Sequence, residues 1–425
     1  MAKSPIHEAR LSAEIAAGKG LLHRRTLLRG GLFTTAAAGS ALAAEKIGDN
    51  LPEWMRKPGR EFTGYGQPAR AQEGWVRTSA NNPGRPKTSS RTPLHMLEGT
   101  ITPSGLHFER HHNGVPDVDP NRHELIVHGM VKRPLAFSLD TLLRYPKETH
   151  VRFLECSGNS GGFGGPTPVQ AVSGEMNGLL SCSEWTGVKL TTLLDEAGVN
   201  PGAKWIIAEG GDADSMSRSV PMAIATDDAM VALYQNGEYL RPEQGFPMRL
   251  LLPGIEGNVN VKWLTRLKVV DRPANAKDET SKYTELLPDG KARQFMLVMQ
   301  VKSAIMRPSF GFDMKGPGLY EISGIAWSGN GKVAKVDISA DGGKTWAQAA
   351  LSEPVQSKAI TRFRLPWKWD GQPAIVMSRA TDSSGDVQPM RSSWIKQFAP
   401  GQGYHNNSIQ CWSVAADGTV KNVYV

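Results

Sequence analysis

Cysteine is scarce in this chain: only 3 occur in 425 residues, Cys156, Cys182 and Cys411. Three thiols cannot make a disulfide framework, even in an oxidising compartment. The sequence leaves a Cys156 to Cys182 bridge open, and such a bridge would take Cys156 out of any ligand role. Long apolar runs are missing as well: nowhere does one reach the roughly 18 residues needed to span a bilayer. No Cys-x-x-Cys-His and no His-Pro-Gly-Gly is present, so neither haem pattern is encoded. Neither G-x-G-x-x-G nor G-x-x-x-x-G-K-[S/T] follows a strand-like run, which removes support for a dinucleotide or P-loop site.

With 40% hydrophobic residues the chain can bury a sizeable core, and its length suggests two or three domains rather than disorder. The formal charge is +8, but residues 1–43 carry Lys3, Arg10, Lys19, Arg24, Arg25 and Arg29 against only Glu8 and Glu14. The remainder holds too weak a positive balance for nucleic-acid binding, though it suits anionic substrates. Those first residues read as a leader. His23-Arg24-Arg25-Thr26-Leu27-Leu28-Arg29 precedes a mildly apolar run from Gly30 to Ala44, and Ala41-Leu42-Ala43 has a small-x-small cleavage pattern. Paired arginines before a weak apolar segment fit a twin-arginine signal over 1–43, which predicts export to the periplasm in folded form.

Residues 44–93 are rich in Pro, Gly, Arg and Ser and read as an extended arm with little regular structure. From 94 to 300 strands and helices alternate irregularly, as in an α+β domain. Strands are predicted at Glu124 to Val131, His150 to Glu155, Trp205 to Glu209, Met248 to Leu252 and Val261 to Val270. Helices are predicted at Leu139 to Arg144 behind Ser138, at Thr191 to Ala197 before Gly198, and at Ala223 to Gln235 before Gly237. From 301 to 425 short alternating runs are separated by Asp-Gly and Gly-Asn turns, the pattern of an antiparallel, immunoglobulin-like β-sandwich of a kind that commonly mediates association.

The most informative segment is THVRFLECSGNSGGFGG, from Thr149 to Gly165. An alternating β-run delivers Cys156 into a glycine-rich loop, where backbone conformations and close approaches forbidden to larger residues are open. A thiolate displayed there is suited to binding a soft metal.

Several motifs line up around it. Phe108-Glu109-Arg110-His111-His112, Cys156-Ser157-Gly158-Asn159, Glu184-Trp185-Thr186-Gly187-Val188, Gly245-Phe246-Pro247-Met248-Arg249 with Pro253-Gly254, and Val261-Lys262-Trp263-Leu264 together resemble the molybdenum domain of the sulfite oxidase family. Ala326-Trp327-Ser328-Gly329, Asp341-Gly342-Gly343 with Trp346, Arg379-Ala380-Thr381-Asp382 and Gln388-Pro389 resemble that family's dimerisation domain. The resemblance implies a molybdenum–molybdopterin cofactor with Cys156 as the protein ligand of the metal. It assigns cofactor binding to Phe108, Arg110, His111, His112, Cys156, Asp212, Arg249, Asn260 and Lys262. It assigns catalysis to Arg110, Cys156 and Tyr283, with Arg110 binding an anionic sulfur substrate beside the metal.

Departures from the sulfite oxidase pattern point to one branch of the family. Ser160-Gly161 stands where sulfite oxidases carry paired arginines, Gln244 where a histidine precedes Gly-Phe-Pro, and Glu175 near the position of a pocket tryptophan. The run Gly161 to Gly165 predicts a wide, flexible mouth. These changes resemble the molybdenum subunit of the sulfane dehydrogenases of thiosulfate-oxidising systems. That resemblance implies a substrate sulfur carried on a partner protein's cysteine, a separate c-type, dihaem cytochrome subunit as electron acceptor, and a homodimer within a heterotetramer. A direct sulfite dehydrogenase using cytochrome c is the alternative.

Overall fold

The computed structural model describes residues 15–24, 52–79, 88–399, 401 and 403–425. The run from Gly30 to Ala44 and the cleavage pattern Ala41-Leu42-Ala43 lie outside the described residues. Among the described residues no helix is long and apolar enough to cross a membrane.

Alternation sets the first sheet. In Glu124–Gly129 the residues Leu125 and Val127 are fully buried while their neighbours face outward, the signature of a half-covered strand. This sheet runs Ser217–Pro221, Trp205–Gly210, Leu264–Val270, Glu124–Gly129, Leu135–Ser138, antiparallel except for the parallel pairing of Leu264–Val270 with Glu124–Gly129. Two short helices cover it with Leu142, Leu190, Leu193 and Leu194. Leu139–Leu143 begins where Ser138 Oγ accepts the Thr141 amide at 3.2 Å, and Leu190–Ala197 stops at Gly198, whose φ of 69° suits a residue without a Cβ.

A second sheet holds Glu238–Tyr239, Met230–Gln235, Leu180–Lys189 and Glu148–Glu155 in that order, with Arg249–Leu251 also paired to Met230–Gln235. Its strand Met230–Gln235 corrects the helix predicted from Ala223 to Gln235. Only Met222–Ala225 is helical, and Met230, Val231, Ala232 and Leu233 are buried on both faces of a covered strand. A strand covered on both sides loses its alternation and reads as a helix. The arm also differs from expectation at its end. Ser89–Arg91 pairs with Thr78–Ser79 on one side and with Glu109–Arg110 on the other, so the arm is tied into the loop that carries Arg110.

The C-terminal part is a sandwich, as the turn spacing predicts. One sheet contains Lys302–Arg307, Gly318–Trp327 and Thr361–Trp369; the other contains Ala347–Gln348, Val333–Ser339, Ala374–Asp382, Cys411–Val414 and Val420–Val423. Trp367, Trp369, Trp412, Phe363 and Leu365 fill the space between them. Two motif glycines meet where the sandwich abuts the first domain. A Cβ on Gly254 would lie 2.4 Å from the Gly329 carbonyl oxygen, and a Cβ on Gly329 would lie 2.2 Å from the Gly254 carbonyl oxygen. Both motifs carry glycine here because the backbones touch.

Candidate active site

Cys156 follows the end of the buried strand Glu148–Glu155, and its amide donates to the Leu179 carbonyl at 2.9 Å. All three cysteines are free, which closes the question of a Cys156 to Cys182 bridge. A cavity opens in front of Cys156. All ten residues named by the resemblance line it: Phe108, Arg110, His111, His112 and Cys156 from the first half, then Asp212, Arg249, Asn260, Lys262 and Tyr283.

The cavity carries the cations Arg110, Arg249 and Lys262 beside the carboxylates of Asp212 and Asp214. Arg249 is 3% exposed and donates only to backbone, to Gln244 O at 3.2 Å and Asn260 O at 2.9 Å. Its guanidinium lies 5.3 Å from the Trp185 ring centre, its Nε has no partner, and burial lowers its pKa to about 9. Lys262 is held well below the ordinary lysine value, first by burial and then by the Arg249 charge. Its Nζ donates to His111 Nδ1 at 2.6 Å, to Glu243 O at 3.1 Å and to Arg110 O at 3.3 Å. Among the described residues neither cation has a carboxylate within ion-pair distance.

The histidines are fixed by their partners. His111 Nδ1 accepts from an ammonium, so its proton lies on Nε2, which donates to Glu109 Oε2 at 2.7 Å. Burial, more than the Glu109 contact opposes, lowers its pKa and favours this neutral form. Glu109 in turn pairs with Arg77 of the arm. His112 Nδ1 lies 2.5 Å from Asp214 Oδ2, and the Tyr283 hydroxyl lies 3.4 Å from His112 Nε2. Tyr283 takes φ of 52°, a conformation that bulky residues adopt only when their surroundings impose it. Arg218 stacks over its ring at 4.9 Å, and burial raises its pKa, the Cys156 thiol adding to the effect. Arg110 is exposed at the rim and donates to His111 O at 2.6 Å.

The residues present fit a molybdopterin. Burial raises the Cys156 thiol, opposed by the Gly158 amide and the Arg110 charge, and coordination to a soft metal is what would strip its proton. Arg249 and Lys262 await an anion such as the pterin phosphate, and the partnerless His107 Nε2 and Asn258 Oδ1 offer further edges for hydrogen bonding. Asn260 contributes differently from the others. Its Oδ1 accepts the Leu252 amide at 2.6 Å and its Nδ2 donates to Ile255 O and Glu256 O, so its amide is committed to shaping the wall.

Comparison with known proteins agrees with this chemistry. Residues 112–278 match the family model described as oxidoreductase molybdopterin binding domain, and residues 293–411 match the Mo-co oxidoreductase dimerisation domain. Mitochondrial sulfite oxidase of Mus musculus is 31% identical over 402 residues, covering 87% of this chain and 72% of that protein. The chain belongs to the sulfite oxidase family. It is a molybdenum oxidoreductase whose cofactor is molybdenum held by molybdopterin. The NADH nitrate reductase of Ulva prolifera is 30% identical, covering 74% of this chain and 40% of that protein. Among solved structures, the sulfane dehydrogenase SoxCD from Paracoccus pantotrophus aligns with a TM-score of 0.85 and 42% identity, over 88% of this chain and 97% of that chain.

Two expectations about the family site change. Glu175 lines a separate cavity beside Gly158 and Asn159, so it replaces no tryptophan in front of Cys156; the indole lining the Cys156 cavity is that of Trp263, with Trp185 buried behind Arg249. The run Gly161 to Gly165 does not form the mouth either. Gly161–Gly164 make one tight turn, and a Cβ on Gly161 would lie 2.9 Å from the Gly403 carbonyl oxygen, because the C-terminal segment packs on it.

Sequence reasoning missed the supports behind Cys156. Glu155, 1% exposed, accepts from Trp327 Nε1 at 2.6 Å and from Asn159 Nδ2 at 2.8 Å. Lys302 lies 3.6 Å from Glu155 and donates to Ser160 Oγ at 2.6 Å. A carboxylate closing an apolar strand was a readable signal for Glu155; nothing local marks Lys302. His405 likewise reaches in from the C-terminal segment, its amide donating to Ser157 O at 2.8 Å.

Proposed function

We propose that this chain is a periplasmic enzyme that oxidises sulfane sulfur carried on a partner protein's cysteine, with oxygen drawn from water and a c-type cytochrome subunit as electron acceptor. The carrying observation is the cation set of the cavity. Among the described residues Arg110 is the one exposed guanidinium on the cavity wall, while Arg249 is buried behind it. A single rim cation suits a monoanionic persulfide better than a small dianion. The 42% identity to a sulfane dehydrogenase supports the same choice.

When bound, the cofactor supplies oxygen-atom exchange and takes up an electron pair for each oxygen delivered. The residues of the chain do the rest. Cys156 fixes the metal, and Arg249 and Lys262 hold the pterin's anionic end. Arg110 orients the terminal sulfur and stabilises the negative charge as it grows towards a sulfonate. Protons released from water leave from the Tyr283 hydroxyl to His112 Nε2, with Asp214 steadying the far nitrogen. Electrons leave to the cytochrome subunit, the chain's own homodimer forming the centre of a heterotetramer through the sandwich.

Cytochrome c reduction by the purified enzyme on carrier protein bearing a cysteine persulfide and on free sulfite tests this. Faster reduction with the carrier supports the proposal, and preference for free sulfite refutes it. The 31% identity to sulfite oxidase favours that second reading, a direct sulfite dehydrogenase. Export is tested by the mass and compartment of the native protein, with cleavage after residue 43 the expected result.

A further inference from the structure

The leader contains more than its arginine pair and apolar run. Ile15–Ala17 and Leu21–Leu22 form an antiparallel hairpin around the turn Gly18–Gly20, and Leu21 pairs with Trp367 on the outer edge of Thr361–Trp369. Ala350–Leu351 covers the same edge farther along, opposite Phe363 and Arg364. The hairpin therefore covers the stretch of that edge beyond Arg364, which contains Pro366, a residue tolerated only on edge strands.

The contact is specific on both sides of the sandwich. Trp367 Nε1 donates to the Lys19 carbonyl at 2.7 Å. From the opposite sheet's Asp341–Gly342–Gly343 loop region, Thr345 Oγ1 accepts the Gly18 amide at 2.8 Å. Leu21 is 0% and Leu22 2% exposed, and Ala17 and Leu21 join the core that contains Trp367 and Trp369. Gly20 takes φ of 84°, and a Cβ there would lie 1.9 Å from the Lys368 carbonyl oxygen. Glycine at 20 is required by this docking and by nothing in an export signal. Arg24, two residues beyond the hairpin, is exposed.

We propose that residues 15–22 are an intramolecular ligand of the sandwich: in the unprocessed chain they dock as added edge strands, and removal of the leader uncovers the edge at residues 366–369. Docking holds the start of the arginine pair at the surface of a folded sandwich, so the export motif is displayed beside evidence that the domain has folded. This rests on the reading of residues 1–43 as a cleaved leader, but the docking itself is measured without reference to export.

The test is amide hydrogen exchange on the full-length, unprocessed chain and on the processed form. Residues 15–22 should exchange at least about a hundredfold more slowly than a free peptide of the same sequence. Gly20→Val should return them to the free rate while Gly318–Trp327 stays protected. Trp367→Phe, which removes only the indole donor, should give an intermediate rate and guards against misfolding of the first variant. In the processed form, the amides of residues 367–369 should exchange faster than in the unprocessed one. Free exchange of 15–22 in the wild-type chain, or unchanged exchange at 367–369 after processing, overturns the proposal. Protection without cleavage after residue 43 would leave the docking standing and sink the leader reading instead; cleavage with free exchange would do the reverse.

Discussion

Burial raises the Cys156 thiol in a cavity whose walls carry Arg110, Arg249 and Lys262, so the metal, rather than the protein, must make the thiolate. Cys156→Ser should therefore lose molybdenum, with cytochrome c reduction falling at least about a hundredfold. Metal analysis beside the rate checks this, and the thermal midpoint should move little. His405 offers a prediction on stability. Burial alone would lower its pKa, but pairing with Glu285 at 2.9 Å and Glu256 at 3.4 Å outweighs this and raises it to about 9. Arg218 and Arg293 contact the same two carboxylates. Because the folded pKa exceeds the unfolded value of about 6.5, the imidazolium's contribution is fully present below about pH 6.5 and is lost as pH rises through about 9. The thermal midpoint should fall over that window, and His405→Gln should flatten the fall.

At the scale of elements, the caps and turns behave as local chemistry dictates. Ser138→Ala removes the acceptor of the Thr141 amide and should cost about 1 kcal/mol, read as a shift of the denaturation midpoint with activity retained. The two helix ends, the strand leading into Cys156 and the sandwich strands were legible, since capping residues, alternation and Asp-Gly turns are local signals. Met230–Gln235 was not, because a strand covered on both faces carries no period to read. Leu180–Lys189 was recognised only through Glu184-Trp185-Thr186-Gly187-Val188. Its Gly187, where a Cβ would lie 2.2 Å from the Val231 carbonyl oxygen, is explained by the neighbouring strand, which the sequence does not identify.

Across the whole molecule, the sandwich is part of the active site's foundation. Lys302 and Trp327 clamp Glu155, the residue before Cys156, and Gly254 and Gly329 lock the two domains backbone to backbone. Gly329→Ala should force the domains apart at a cost of roughly 1–3 kcal/mol from overpacking. Molybdenum content should fall with it, although position 329 lies off the cavity; an unchanged metal content with a lowered thermal midpoint would show that the clamp does not shape the site.

The sequence by itself determined the kinds of group available and their local settings: a thiol at a strand end, a glycine loop behind it, histidines and cations in ordered motifs, and a turn-punctuated sandwich. These follow from side-chain chemistry and from periodicity within a few residues. Only the tertiary structure decided which groups face one cavity, that Asn260's amide is committed to its own wall, that Gly161 meets the C-terminal segment rather than the mouth, and that Lys302, Trp327 and His405 arrive from more than a hundred residues away to brace Cys156. Such contacts depend on how layers pack, and packing leaves no periodic trace in the chain that makes it.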